Sequence, residues 1–266
     1  MEIHGSTRVF ALLGDPVAQS ISPLMQNAAF RASGLDAVYV PLRCSDSAIL
    51  VLMESLARQG GGGNVTIPHK AAAAEALGLL GGPALPVCNT FWAENGTLHG
   101  AETDSDGILA ELAGLGGPGG DWCLVGTGGS ARAALRAARR AGVRVAVRSR
   151  SAERADRFTA EASEEGVSLT VPERCQVVIN CTPLGLSDGD PFPLPLELVP
   201  EGAVVLDLVY RRGETPWVRA LRGAGRMAAD GRTVLVEQGA ASFERWFPQR
   251  PAPREVIRAA VRTALE

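Results

Sequence analysis

Two hydrophobic periods alternate along the chain. Short apolar runs of strand length occur at "RVFALLG" (8–14), "AVYVPLRC" (37–44), "NVTIP" (64–68), "VRVAVRSR" (143–150), "QVVINCTP" (176–183) and "AVVLDLVY" (203–210). Between them, apolar positions recur every three or four residues, which predicts amphipathic helices at "SPLMQNAAFRASG" (22–34), "SDSAILVLMESLARQ" (45–59) and "SAERADRFTAEASEEG" (151–166). Ser22 is the expected N-cap of the first, with Pro23 at its first helical position. "NTFWAENGTLHG" (89–100) predicts a hairpin turning at Asn95-Gly96, two residues that accept positive φ. The last segments, "VLVEQGAASFERWF" and "PREVIRAAVRTALE", read as helices.

Strand–helix alternation of this kind implies an α/β protein whose strands are mainly parallel and covered by helices. A glycine-rich segment, "GLGGPGGDW" (114–122), precedes a second run of the same alternation. We therefore expect two α/β domains with a cleft between them. Residues 1–104 plus 238–266 form an N-terminal domain with a mainly parallel sheet, and residues 105–237 form a Rossmann-like domain.

Composition narrows the function. A net charge of −3 offers no electrostatic case for nucleic acid or an anionic membrane surface. No apolar stretch approaches the ~20 residues a membrane span needs, and "MEIHGSTRVFALLGDP" does not read as a signal peptide. Cys44, Cys88, Cys123, Cys175 and Cys181 are odd in number and unpaired in spacing, as expected of reduced cytoplasmic thiols. His4, His69 and His99 make no zinc pattern, so no metal is expected.

One cation stands out. Of the 26 Lys and Arg residues, only Lys70 is lysine. It follows "NVTIPH", at the carboxyl end of an expected strand, where open α/β sheets bind ligands. Lysine can donate and regain a proton, whereas arginine stays protonated. With Asp104 in "ETDSDG", it makes a candidate acid/base pair for an alcohol or ketone. His69 reads as a ring packed at a strand end, and Cys88 as a small buried hydrophobe.

"VGTGGSA" lies between a strand and a helix. Gly126, Gly128 and Ala131 match G-x-G-x-x-G/A, with Gly129 in addition. Such glycines let the backbone turn tightly and approach a pyrophosphate resting on the helix N-terminus. Where an NAD-binding strand would end in an acid, this one ends in Arg148, Ser149, Arg150 and Ser151, with Arg154 a turn later. Guanidinium groups suit a 2′-phosphate, so the cofactor expected is NADP(H), with Arg150 the main contact.

"GDPVAQSISP", "NVTIPHK", "CNTF", "ETDSDG", "VGTGGSARAAL", "INCTPLG", "LDLVY" followed by "ETP", and "VLVEQGAASFERW" resemble, in order and spacing, the shikimate dehydrogenase family across nearly the whole chain. The resemblance implies NADPH-dependent reduction of 3-dehydroshikimate to shikimate, a step in aromatic amino acid biosynthesis. It implies a substrate-binding N-terminal domain and an NADP-binding second domain, in a monomer or homodimer. By the same resemblance, Ser20 and Ser22 hold the substrate carboxylate. Asn64, Thr66, Asn89 and Asp104 bind the ring hydroxyls and the reacting centre, and Lys70 and Asp104 form the catalytic pair. Tyr210 and Gln238 reach over from the far side of the cleft. Gly126, Gly128, Gly129, Ser130, Ala131, Ser149, Arg150, Ser151, Arg154, Thr182 and Gly231 are the implied cofactor contacts. The chain departs from the family at Glu102-Thr103-Asp104, where Asn-Thr-Asp is usual, at Pro86-Val87-Cys88, and at Arg211-Arg212 after Tyr210. A relative acting on quinate or an aminated analogue, and a silent NADP-binding sensor of the same fold, are the competing readings.

Overall fold

A computed structural model of the chain describes residues 2–117 and 119–266. Met1, where the first domain is expected to begin, and Pro118, inside the 114–122 segment, lie outside the described residues. The chain divides into two compact units, Met1–Thr103 with Val236–Ala264, and Asp104–Leu235 with Leu265–Glu266.

The first unit is built on β1 (Arg8–Gly14), β2 (Ala37–Arg43), β3 (Gly62–Val65), β4 (Thr90–Glu94) and β5 (Thr97–Ala101). Their order is β2-β1-β3-β4-β5. The first three are parallel, and β4 and β5 are antiparallel. Successive strand residues face opposite sides, and β1 shows why a continuous apolar run is needed. Ala11 and Leu13 pack with Ile49 and Met53 of α2 (Asp46–Arg58) and with Ala73 and Leu77 of α3 (Lys70–Leu79). On the other face the Phe10 ring lies 5.2 Å from Phe30 of α1 (Ser22–Ala32) and 4.9 Å from Trp246.

Strand β3 begins two residues before the expected "NVTIP" run and ends at Val65. Glycines 62 and 63 pattern as a turn, yet they are strand residues because the neighbouring backbones crowd them. A Cβ on Gly63 would meet the carbonyl oxygen of Ala11 at 2.2 Å. Thr66, Ile67 and Pro68 lie beyond the strand. The β4–β5 turn places Asn95 at φ 51° and Gly96 at φ 78°, as a type I′ hairpin requires.

The second unit holds β6 (Asp121–Val125), β7 (Val145–Arg148), β8 (Cys175–Asn180), β9 (Val204–Asp207) and β10 (Ala228–Asp230), all parallel, in the order β10-β9-β8-β6-β7. A single parallel bridge from Val145 to Leu169 stands outside β7, where a longer doubly wound sheet would place a further strand. Helices α4 (Asp104–Gly114), α5 (Gly129–Ala141) and α6 (Ala152–Glu164) contribute to the core on one face, around Trp122, Leu135 and Phe158. Trp217 and Leu221 of α7 (Pro216–Gly223) cover the other with Leu194 and Val199. Helices α8 (Arg232–Trp246) and α9 (Arg254–Leu265) end the chain. Among the described residues no helix is long and apolar enough to cross a membrane.

Candidate active site

In the first unit, β1 and β3 are parallel neighbours with Leu13 beside Val65, so both release the chain at one sheet edge. β1 leads through Gly14 to Ser20 and Ser22. β3 leads through Thr66 to Lys70, the first residue of α3. β4 runs antiparallel to β3, with Thr90 beside Asn64, so Asn89 enters at that same edge. β5 ends there as well, Ala101 lying opposite Thr90, and Thr103 follows. Strand register thus places Asn64, Thr66 and Asn89 at the carboxyl edge where α/β sheets bind ligands, and the segments that carry Ser20, Ser22 and Lys70 leave the sheet from it.

A buried hydrogen-bond network supports the two asparagines. Asn64 accepts from the Tyr39 hydroxyl at 2.9 Å. Its Nδ2 donates to the Asn89 carbonyl at 3.1 Å, and lies 2.9 Å from both Thr90 Oγ1 and Ser242 Oγ. Asn89 Oδ1 accepts the Thr103 N–H at 2.9 Å. The Ser242 hydroxyl donates to the Gln238 carbonyl at 2.9 Å. Buried amides with their partners in place are rigid, and a rigid amide discriminates among hydroxyls by position. The sequence reading did not single out Tyr39, Thr90 or Ser242. Tyr39 carried the better signal, being one of only two tyrosines and placed in a strand.

One expectation is corrected here. Ser22 does not cap α1 but is its first residue. The N-cap position is Ile21 and no side chain caps the helix; the Ser20 hydroxyl accepts the Ser22 N–H at 3.2 Å in the turn before it. Gln238 belongs to the same unit as the serines and asparagines. His69 is a buried ring held at both nitrogens: Nε2 donates to the Cys44 carbonyl at 2.8 Å and Nδ1 pairs with Asp46. With both nitrogens engaged, it is no proton relay for Lys70. Burial pushes the Cys88 thiol up to about 11, which keeps it protonated at neutral pH and unfit as a nucleophile.

Asp104 opens α4 and is the residue after Thr103, but it clusters with the second unit. In that unit β6 passes through Gly126 into α5. Gly126 has φ +112°, and a Cβ there would meet Thr182 Cγ2 at 2.9 Å. At Gly128 and Gly129 a Cβ would meet nothing within 4 Å, so the start of α5 is open to an approaching group. No side chain caps α5 at Gly128, which leaves its first N–H groups suited to a phosphate. Ser130 follows in the first turn, and Ala131 is fully buried against the sheet. Thr182 follows β8, on the other side of β6 from β7, so the glycine loop and Thr182 flank the point where the strand order reverses.

The arginines separate into two kinds. Arg148 is committed to Glu173 at 3.0 Å. Arg150 and Arg154 are exposed and form no ion pair among the described residues. Ser149 accepts the Ser151 N–H, and Ser151 caps α6 by accepting the Arg154 N–H, each at 3.3 Å. The donors therefore match a phosphorylated ribose, and the open glycine turn matches a pyrophosphate. Gly231 donates its N–H to the Val209 carbonyl at 3.1 Å, and burial pushes the neighbouring Tyr210 phenol up. Arg211 is held by Asp188 at 2.5 Å. Among the described residues no group of His, Cys, Asp and Glu is placed to hold a metal ion.

Residues 12–86 match the family profile described as the shikimate dehydrogenase substrate binding domain, and residues 231–262 match that of the shikimate 5′-dehydrogenase C-terminal domain. The chain is 38% identical to the shikimate dehydrogenase (NADP(+)) of Synechococcus sp. (strain JA-3-3Ab), over 99% of this chain and 96% of that protein. It is 36% identical to that of Symbiobacterium thermophilum, over 99% and 96%. The crystal structure of the Thermus thermophilus shikimate 5-dehydrogenase in complex with NADP(H) and shikimate superposes with a TM-score of 0.85. It is 32% identical, and the match covers 97% of this chain and 99% of that one.

Proposed function

The chain belongs to the shikimate dehydrogenase family, and we propose that it reduces 3-dehydroshikimate to shikimate, reversibly, with NADPH. The observation that supports the reading is the sheet edge formed by the carboxyl ends of β1 and β3 and the amino end of β4, whose hydroxyl, amide and ammonium groups suit one small polar ligand. Relatives over nearly the full length carry this activity in their names, and one relative's structure holds both ligands.

In this reading Ser20 and Ser22 bind the substrate carboxylate, one hydroxyl fixed by the turn before α1 and the other by the helix itself. Asn64, Thr66 and Asn89 bind ring hydroxyls. A ligand lacking one of them leaves a buried polar group without its partner, which costs about 1–3 kcal/mol. Gln238 and Tyr210 complete the binding groups. NADPH, held by the glycine turn 126–131, Ser149, Arg150, Ser151, Arg154, Thr182 and Gly231, supplies the hydride. Lys70 stabilises the charge that develops on the substrate oxygen and delivers a proton to it from Nζ. Asp104 is its carboxylate partner, and in the reverse direction Nζ takes the same proton back from the substrate hydroxyl. Arginine could stabilise the charge but not transfer the proton. We place the protein in the cytoplasm, as a monomer or homodimer.

The test offers shikimate and quinate, each with NADP⁺ and NAD⁺, and follows reduced nicotinamide, with Lys70→Arg run beside the wild type. Turnover mainly of shikimate with NADP⁺, and loss of at least about a hundredfold in kcat for Lys70→Arg with the melting temperature retained, supports the reading. Near-normal turnover by Lys70→Arg rejects the proton-transfer role.

A further inference from the structure

Asp207 ends β9 and is fully buried, and no step above uses it. Its Oδ2 accepts the Thr215 hydroxyl at 2.7 Å. Its Oδ1 accepts Asn180 Nδ2 at 2.8 Å and the Val209 N–H at 3.1 Å. Each partner leads to a different segment. Asn180 Oδ1 accepts both the N–H and the hydroxyl of Thr182, at 2.9 and 2.7 Å. Val209 begins the loop that carries Tyr210, and its carbonyl accepts the Gly231 N–H at 3.1 Å. Thr215 closes that loop and caps α7 by accepting the Val218 N–H at 3.3 Å.

One carboxylate therefore joins the segments bearing Thr182, Tyr210 and Gly231. We propose that Asp207 is a positioning residue for the cofactor end of the second unit, setting these three residues without touching cofactor or substrate. The inference rests on the NADP(H) reading of that unit.

The hydrogen-bond pattern says which substitutions distinguish positioning from mere stability. In Asp207→Asn, Oδ1 still accepts from Asn180 and Val209, while Nδ2 donates to Thr215 Oγ1, which changes from donor to acceptor. The three segments stay joined. In Asp207→Ala, two buried donors and a hydroxyl lose their acceptor together.

NADPH binding is measured by fluorescence titration below the melting temperature of every variant, with initial rates on shikimate. Asp207→Ala is expected to weaken binding by about tenfold or more, since small displacements at a binding site are costly. Asp207→Asn is expected to recover most of that loss. Thr215→Val, which removes one hydroxyl only, serves if Asp207→Ala does not fold, and is expected to show a smaller loss of the same kind. A folded Asp207→Ala or Thr215→Val that binds NADPH within twofold of wild type, with only its melting temperature lowered, overturns the inference. Equal loss in Asp207→Ala and Asp207→Asn also overturns it, because charge rather than geometry would then matter. A wild type that binds no NADPH refutes the cofactor reading itself.

Discussion

Replacing Gly14 by alanine adds one methyl group at the end of β1. The new Cβ would stand 2.3 Å from Thr66 Cγ2, 3.1 Å from Val17 Cγ1 and 3.3 Å from the Ile67 carbonyl oxygen. Carbon atoms rest about 3.5–4.0 Å apart, so Thr66 must yield by about 1 Å or more. Its backbone cannot move freely. The Thr66 N–H is bonded to the Leu13 carbonyl at 2.8 Å, and its own carbonyl accepts the His69 N–H at 2.9 Å. Relief comes instead from turning a stiff β-branched side chain, which displaces its hydroxyl. Overpacking of this kind costs about 1–3 kcal/mol, or about 2–12 °C in melting temperature for a protein of this size. If Thr66 binds substrate, a displacement of this size lowers kcat/KM for shikimate by up to about a hundredfold. The KM for NADP⁺ should stay within twofold, because the cofactor residues belong to the other unit. Steady-state kinetics with each substrate varied in turn, alongside thermal melts, makes the check. A variant that melts lower but keeps kcat/KM for shikimate within twofold would show that Thr66 takes no part in binding.

Tyr39→Phe removes the hydroxyl that Asn64 Oδ1 accepts; the orphaned oxygen should cost about 1–3 kcal/mol and raise the KM for shikimate, and an unchanged melting curve would refute the account of the network. Arg150→Ala should raise the KM for NADP⁺ about tenfold or more while leaving that for NAD⁺ unchanged; equal effects on both would mean that Arg150 does not contact the 2′-phosphate. Burial pushes the Asp207 carboxyl up from 3.8 to about 6, so between those values the folded protein holds a proton that the unfolded chain has released. The resulting stability is present at low pH and lost as pH rises through about 6. Wild type should therefore lose about 1.5 kcal/mol relative to Asp207→Asn between pH 5 and pH 7.5, a gap of about 3–6 °C, and parallel melting temperatures across that range would refute it.

Alternating strand and helix periods, the Asn95-Gly96 turn and the glycine turn after β6 were legible in the chain, because each depends on residues a few positions apart. Lys70 stood out for the same reason, as the single lysine beside a strand end. The edges of elements were less legible. Strand β3 starts at Gly62 because Gly62 pairs with Phe10 and Trp92, and the Ala11 backbone leaves room only for glycine at 63, facts that belong to β1 and β4 and not to the local sequence. The same holds for the groups that set the site. Asn64 meets Ser242 from 178 positions away, and Asp207 meets Asn180 from 27. Local propensity carries no information about such partners. They are chosen by which strands lie side by side and by the need of every buried donor and acceptor to find a match. The sequence by itself determined which chemistry the chain can hold. Tertiary structure decided where β3 begins and which buried groups hold the others still.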